Sequence, residues 1–207
     1  MDKAEKLERY RELNKTARKG QILFAGSSLM EMFPVEKLLR ERGVECTVYN
    51  RGIGGYVTRE MMDNLNACVT DLQPRRLFIN IGTNDLSHPE VTPEILMNRY
   101  EEIIAAIERD VPGVEIYMMA YYPINYDAAA DFMKPGLLIR TNEKINAANA
   151  LVEQLALRRG HRYIDVNRTL KDDQGRLKAE YTIEGMHITE EGYRAIMDDL
   201  TPYVIAE

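Results

Sequence analysis

Five short apolar runs alternate along the chain with longer segments in which apolar residues recur every three or four positions. The runs cover residues 21–25, 45–49, 76–81, 114–120 and 162–166. Apolar runs of this length, without alternating polar residues, are typical of strands buried on both faces. Because strands that alternate with helices form right-handed β-α-β units, the sequence predicts an α/β fold with a five-stranded parallel sheet. The strand count favours a flavodoxin-like three-layer sandwich.

The segments between these runs have helical periods. Periodic apolar positions lie at 61–72, 96–107, 145–155 and 193–200, and a weaker stripe predicts an opening helix over 3–18. The stretch 123–135 has no such period and is predicted to be a surface loop. No linker, charge block or repeat divides the sequence. We therefore expect one domain over residues 1–207, with residues 1–20 forming an N-terminal helix that packs on it.

The composition excludes several classes of protein. The chain has 207 residues, of which 45% are hydrophobic and 29% are charged, as in an ordinary globular protein rather than a disordered or fibrous one. Its formal net charge is −6. An acidic chain of this kind lacks the basic surface that binds a phosphate backbone, so we expect no nucleic-acid partner.

Cysteine usage and the N-terminal sequence indicate the compartment. The two cysteines, Cys46 and Cys68, are far apart, so neither a disulfide framework nor a zinc ribbon is expected. The first ten residues are highly charged and contain no apolar signal region. No apolar run approaches the roughly 18 residues of a membrane span. A cytoplasmic protein without a membrane span is predicted, and the sequence leaves its oligomeric state open.

Four polar, glycine-containing segments stand where a reactive site is expected. Three of them follow the first, second and third predicted strands, and the fourth precedes the last helix. They are Gly26-Ser27-Ser28-Leu29, Asn50-Arg51-Gly52-Ile53-Gly54-Gly55, Gly82-Thr83-Asn84-Asp85 and Glu184-Gly185-Met186-His187. Ligands of open α/β sheets bind at the carboxyl ends of the strands, so these segments predict the site.

Each segment alone has an ordinary structural interpretation. A serine after a strand is a common helix N-cap, and Asn and Asp favour turns. The glycines at 52, 54 and 55 match neither a dinucleotide fingerprint nor a P-loop. A lone histidine is more often a core residue than a catalytic one, and none of the three histidines has a metal-ligand spacing. We expect neither a metal ion nor an organic cofactor.

Together the segments supply every part of a serine hydrolase. Such an enzyme needs a nucleophile, a base, a carboxylate behind the base, and donors for the oxyanion. Ser28 supplies a hydroxyl at a strand-to-helix turn, and Glu184 and His187 are three residues apart, close enough to share one turn. Gly55 allows its N–H to approach a substrate closely, and Asn84 carries an amide donor. The candidate triad is therefore Ser28, His187 and Glu184, and the candidate oxyanion hole is formed by Ser28, Gly55 and Asn84.

The four segments resemble, in order and separation, the four blocks of the SGNH (or GDSL) esterase and lipase family. The block Gly-Asp-Ser-Leu is matched by residues 26–29, with the family nucleophile on Ser28, and the glycine of the second block falls on Gly55. The blocks Gly-x-Asn-Asp and Asp-x-x-His are matched by residues 82–85 and 184–187. The resemblance extends from about residue 21 to the end. It implies hydrolysis of a small-acyl ester, of the acetylated-sugar or lysophospholipid type, through an acyl-enzyme.

Two positions depart from the family pattern. Ser27 replaces the usual Asp of the first block, and Glu184 replaces the usual Asp before the histidine. Glutamate is one methylene longer, so the sequence predicts a looser orientation of the imidazole, with Asp165 as a second candidate acceptor. The alternative interpretation is a non-catalytic, flavodoxin-like domain that binds a small molecule, and turnover of an aryl ester distinguishes the two.

Overall fold

The sheet has five strands, and all of its neighbouring pairs are parallel. The computed structural model describes residues 1–206, and its strands are β1 (Ile22–Gly26), β2 (Val48–Asn50), β3 (Arg76–Asn80), β4 (Glu115–Met119) and β5 (Arg162–Ile164). Their order across the sheet is β2-β1-β3-β4-β5, which is the flavodoxin-like order. The predicted fold class is confirmed, and each of the five apolar runs overlaps a strand.

Helices cover both faces of this sheet. They are α1 (Lys3–Thr16), α2 (Ser28–Glu31), α3 (Val35–Glu41), α4 (Thr58–Asp63), α5 (Leu65–Cys68), α6 (Pro93–Asp110), α7 (Lys134–Leu137), α8 (Asn142–Arg159), α9 (Glu190–Ala195) and α10 (Met197–Ile205). One apolar core joins the sheet to α4, α5, α6 and α8, and a second joins its other face to α3, α9 and α10. None of the helices within residues 1–206 is both long and apolar enough to cross a membrane.

Alternate residues of the strands supply the two cores. Leu23 and Ala25 of β1 face the first core, and Ile22 and Phe24 face the second. On the second face, Phe24 stacks on Phe78 of β3 with ring centroids 4.6 Å apart. Burial on both faces explains why the runs read as continuously apolar rather than alternating.

Three details differ from the sequence predictions. The apolar positions at 61–72 are buried as expected, but they lie on α4, α5 and a 3₁₀ turn (Thr70–Leu72) rather than on one helix. The edge strand β2 starts at Val48 rather than at residue 45, because its register with β1 begins with the pair Ile22 and Val48. The stretch 123–135 is not entirely a surface loop: Ile124 and Asn125 are buried.

The adjacent ends of β1 and β3 set the position of the candidate site. Gly26 pairs in register with Asn80, and a Cβ atom on Gly26 would lie 2.1 Å from the Asn80 carbonyl oxygen. Only glycine permits this approach. Consequently the segment after β1, with Ser28, and the segment after β3, with Asn84, begin side by side at the same edge of the sheet.

Candidate active site

Ser28 is the first residue of α2 and lies directly after the buried end of β1. Helix starts leave backbone N–H groups without intrahelical acceptors. The first backbone hydrogen bonds of α2 run from the N–H groups of Met30 and Glu31 to the Ser27 carbonyl, and no residue within 1–206 accepts from the Ser28 N–H. The hydroxyl of Ser28 and a free backbone donor therefore share one position. Ser27 is buried, with 1% of its surface exposed.

Ser28, His187 and Glu184 form a continuous hydrogen-bonded chain. His187 Nε2 lies 2.9 Å from Ser28 Oγ, and His187 Nδ1 lies 2.7 Å from Glu184 Oε1. The same Glu184 oxygen accepts the backbone N–H of His187 at 3.0 Å. Because Nδ1–H donates to a carboxylate, Nε2 is left as an acceptor for the serine proton. The arrangement can deprotonate Ser28 as its oxygen attacks an electrophile.

The histidine loop is a small closed turn. Thr182 and Ile188 form an isolated antiparallel bridge, and Thr182 Oγ1 accepts the Gly185 N–H and donates to the His187 carbonyl. Gly185 has a φ of +101°, and a Cβ atom there would lie 2.5 Å from that of Ala129. The partly buried segment after β4 therefore packs against the turn and helps to hold the side chains of Glu184 and His187 in place.

Asn84 presents an amide to the same space. Its Nδ2 donates to the Tyr56 carbonyl at 2.9 Å, and its Oδ1 accepts from Arg140 Nη2 at 2.8 Å. Since the amide nitrogen carries two hydrogens, one remains for a ligand. The two bonds fix which end of the amide faces the groove.

The glycine loop after β2 supplies a second backbone donor. Gly55 has a φ of +78°, and no acceptor for its N–H lies within residues 1–206. The preceding N–H, that of Gly54, donates to Glu31 Oε2 at 2.6 Å. Glu31 in turn pairs with Lys6 of α1 at 2.7 Å. The N-terminal helix is therefore connected to the glycine loop through one carboxylate.

These groups surround an open groove of about 520 Å³. It is lined by the predicted residues Ser28, Gly55, Asn84 and His187. Its other lining residues are Lys6, Glu31, Met32, Gly54 and Met186. Glu184 lies behind His187, as a carboxylate that orients a base would. The structure therefore brings all five predicted site residues together.

The residues after β4 do not line this groove, and one sequence-based suggestion, the second candidate acceptor, is wrong. Tyr121, Tyr122 and Ile124 are core residues with at most 3% of their surface exposed, whereas Met186 lines the groove. Asp165 does not contact His187; its oxygens lie against the Asn167 N–H and Lys171 Nζ.

Sequence reasoning also missed three polar residues around the groove. Lys6 and Glu31 lie in helices, where charged side chains are usually solvated, and Arg140 follows the stretch without periodicity. A single arginine in an irregular stretch carries no motif. The only available signal was its position just before an Asn-rich helix whose start lies near the strand ends.

Comparison with known proteins finds a family model that matches this chain. The model of the GDSL-like lipase/acylhydrolase family matches residues 33–195, more than half of the chain. The match includes Gly55, Asn84, Glu184 and His187 and begins after Ser28. The resemblance found in the sequence is confirmed.

Individual proteins show the same similarity. A Streptococcus pneumonia structure, provisionally described as a platelet activating factor, has a TM-score of 0.86 at 33% identity and covers 98% of this chain and 92% of its own. The human platelet-activating factor acetylhydrolase IB subunit alpha2 is 24% identical over 180 residues, which are 86% of this chain and 73% of the human one. An acetylxylan esterase from Geobacillus stearothermophilus shares the fold, with a TM-score of 0.68 at 15% identity over 93% of this chain and 97% of its own.

Proposed function

This chain belongs to the GDSL-like lipase/acylhydrolase family, and from that premise we propose that it hydrolyses esters of small acyl groups through an acyl-enzyme on Ser28. The family makes it a carboxylic-ester hydrolase, so the non-catalytic alternative is set aside. The observation that carries the proposal is the chain of contacts from Ser28 Oγ to His187 Nε2 at 2.9 Å and from His187 Nδ1 to Glu184 at 2.7 Å.

In the acylation half-reaction, Ser28 Oγ attacks the ester carbonyl carbon while its proton moves to His187 Nε2. The carbonyl oxygen becomes an oxyanion, and the Glu184 carboxylate stabilises the imidazolium. As the tetrahedral intermediate collapses, the bond to the alcohol oxygen breaks and that oxygen takes the proton from His187. The alcohol leaves, and the acyl group remains on Ser28.

The deacylation half-reaction uses the same groups in the same roles. Water attacks the acyl carbon and gives a proton to His187 Nε2. The second intermediate expels Ser28 Oγ, which recovers the proton, and the free acid leaves. Because the imidazole both accepts and returns a proton in each half, His187 is the general base and the general acid.

Three donors surround the position of the oxyanion in this proposal. The N–H groups of Ser28 and Gly55 have no acceptor within residues 1–206, and the Asn84 amide has a hydrogen to spare. Donors that are fixed before the reaction stabilise the charge without reorganisation. The bonds of Asn84 to Tyr56 and Arg140 supply that fixation.

Replacing Asn84 by alanine is expected to lower kcat by about 10²- to 10³-fold, with KM changed little, as for other oxyanion donors. The amide meets the charge that develops on the substrate oxygen, whereas a neutral ester gains little from it. Steady-state kinetics on an aryl acetate separate the two parameters. A rise in KM with an unchanged kcat would show that Asn84 binds the substrate and not the transition state.

The shape and the charged residues of the groove favour a substrate with a small acyl group and a polar alcohol. The aromatic side chains after β4 are buried in the core, so they do not open a channel for a long chain. Lys6 and Glu31 place one cation and one carboxylate beside Ser28, each with about one-quarter of its side chain exposed (21% and 26%). Hydroxyl groups of a sugar or the polar headgroup of a lysophospholipid can pair with these charges.

A substrate panel tests this assignment. On p-nitrophenyl esters, kcat/KM is expected to fall by about tenfold or more from acetyl to octanoyl, because a longer chain finds no pocket. Acetylated xylosides and lysophosphatidylcholine then distinguish the two alcohol classes. Each reaction is run beside Ser28→Ala to subtract background hydrolysis. Equal rates for acetyl and octanoyl esters would contradict the small-acyl preference.

A further inference from the structure

Arg140 is a buried cation behind the proposed oxyanion hole. It lies between α7 and α8, with 5% of its surface exposed. Its Nη2 donates to Asn84 Oδ1 at 2.8 Å, its Nε donates to Ser87 Oγ at 2.8 Å, and its Nη1 donates to Met186 Sδ. All three acceptors are uncharged.

The charge of this guanidinium has no direct counterpart. Within residues 1–206 no carboxylate pairs with Arg140: Asp85, whose charge acts on it through space, is bonded to the Thr58 N–H and hydroxyl and to Arg99. Burial lowers the pKa of Arg140 to about 10 and Asp85 opposes the shift, so the side chain is charged at neutral pH. Burying a cation without a paired anion is costly, and in the resting protein the direct partners of Arg140 are all neutral, with Asp85 acting only at longer range.

We propose that Arg140 is a positioning residue of the oxyanion hole, which holds the Asn84 amide in its donating orientation and supplies positive charge that is neutralised when the oxyanion forms. The inference rests on the proposed function. Because the Asn84 amide oxygen accepts a hydrogen bond from Arg140, it is held away from the groove. The amide nitrogen then faces Tyr56 and the substrate oxygen. A charged donor on the oxygen also polarises the amide and strengthens its remaining N–H as a donor.

The shape of the side chain fits this role better than a lysine would. A planar guanidinium directs fixed donors to separate acceptors, whereas an ammonium is a single rotating point. One acceptor, Met186, lies between Glu184 and His187 in the sequence and on the wall of the groove. Arg140 therefore connects the segment that carries the proposed oxyanion donor to the turn that carries the proposed acid and base.

Kinetics of Arg140→Met test the proposal, because methionine keeps much of the apolar volume and removes the charge and the donors. We expect kcat on an aryl acetate to fall by about 10- to 10²-fold with KM within about twofold, less than for Asn84→Ala, since only its support is lost. Arg140→Lys is expected to recover part of the loss. The control is Arg76→Met, an equally buried arginine (2% exposed) that caps the C-terminal helix through the Tyr203 and Val204 carbonyls; it should lower the melting temperature without changing kcat.

A double-mutant cycle separates positioning from a structural role. If Arg140 acts through Asn84, then Arg140→Met should lower kcat much less in the Asn84→Ala background than in the wild type. If Arg140→Met does not fold, the same cycle is run with Arg140→Lys, and addition of guanidinium to Arg140→Ala should raise kcat. An unchanged kcat, a change in KM alone, or fully additive losses would overturn the proposal.

The same measurements distinguish this inference from the proposed function. If the wild type showed no ester turnover that depends on Ser28, the proposed function itself would be contradicted. Ser28-dependent turnover together with additive Arg140 and Asn84 losses would contradict only the role of Arg140.

Discussion

Replacing Ser28 by alanine is expected to lower kcat by about 10³-fold or more, because the covalent step loses its nucleophile. Alanine keeps the backbone N–H of the first α2 residue and the fold around it, so KM should change little. Residual turnover comes from direct attack of water on the ester, with the oxyanion donors still stabilising the tetrahedral intermediate. The measurement is the steady-state hydrolysis of an aryl acetate, with the amplitude of any acyl-enzyme burst recorded for the wild type.

The adjacent serine provides the matched control. Ser27 is almost completely buried and makes no side-chain hydrogen bond that caps α2, so Ser27→Ala should leave kcat close to that of the wild type. An aryl phosphonate should label the wild type on Ser28, as read from the modified peptide by mass spectrometry. Labelling of Ser27, or full activity of Ser28→Ala, would show that the nucleophile has been assigned to the wrong residue.

Periodicity predicted the fold well where burial is uniform. A parallel sheet covered on both faces produces continuous apolar runs, so all five strands could be placed, and the first, third and fourth agree within about one residue at each end. The prediction failed where tertiary contacts interrupt a period. The positions from Met61 to Leu72 keep their helical spacing, yet the chain there packs on α6 and α1 and bends twice. The early part of 123–135 is buried because it supports the turn at Gly185, and no local pattern encodes such a contact.

The site could be predicted because reactive residues follow the strands whose ends meet. Ser28, Asn84 and His187 were found from their neighbours in the sequence, which fix a turn, a strand end and a short loop. The groups that support them could not be found in this way. Arg140 reaches Asn84 over 56 positions, and Lys6 reaches Glu31 over 25, so these contacts exist only in the folded chain.

The contacts of Glu184 change what its extra methylene implies. If the longer side chain held the imidazole loosely, as the sequence predicts, aspartate at this position would work at least as well. In the structure one Glu184 oxygen accepts both the ring Nδ1–H and the backbone N–H of His187, and 11% of the side chain is exposed. A shorter side chain cannot make both bonds unless the turn moves. We therefore expect Glu184→Asp to retain less activity than the wild type rather than as much or more.

Replacement of His187 and Glu184 should give a graded series in kcat/KM. His187→Ala removes the base and is expected to cost about 10³-fold or more, as much as Ser28→Ala, since the two act as a unit. Glu184→Gln should be milder. The backbone N–H of His187 selects the amide orientation with oxygen toward the ring, so the tautomer is kept and only the charge behind the imidazolium is lost. A charge-assisted bond contributes about 1.5–3 kcal/mol, which corresponds to a loss of about 10- to 10²-fold.

The measurement is kcat/KM on one aryl acetate at one pH. From slowest to fastest, the expected order is His187→Ala, Glu184→Gln, Glu184→Asp and wild type. Asp165→Asn is the matched control, because Asp165 contacts Asn167 and Lys171 rather than His187, and its rate should equal that of the wild type. Negligible losses for both Glu184 variants would mean that another acceptor orients the imidazole. A loss in Asp165→Asn that matches Glu184→Gln would identify that acceptor as Asp165 and would require the His187 turn to rearrange during catalysis.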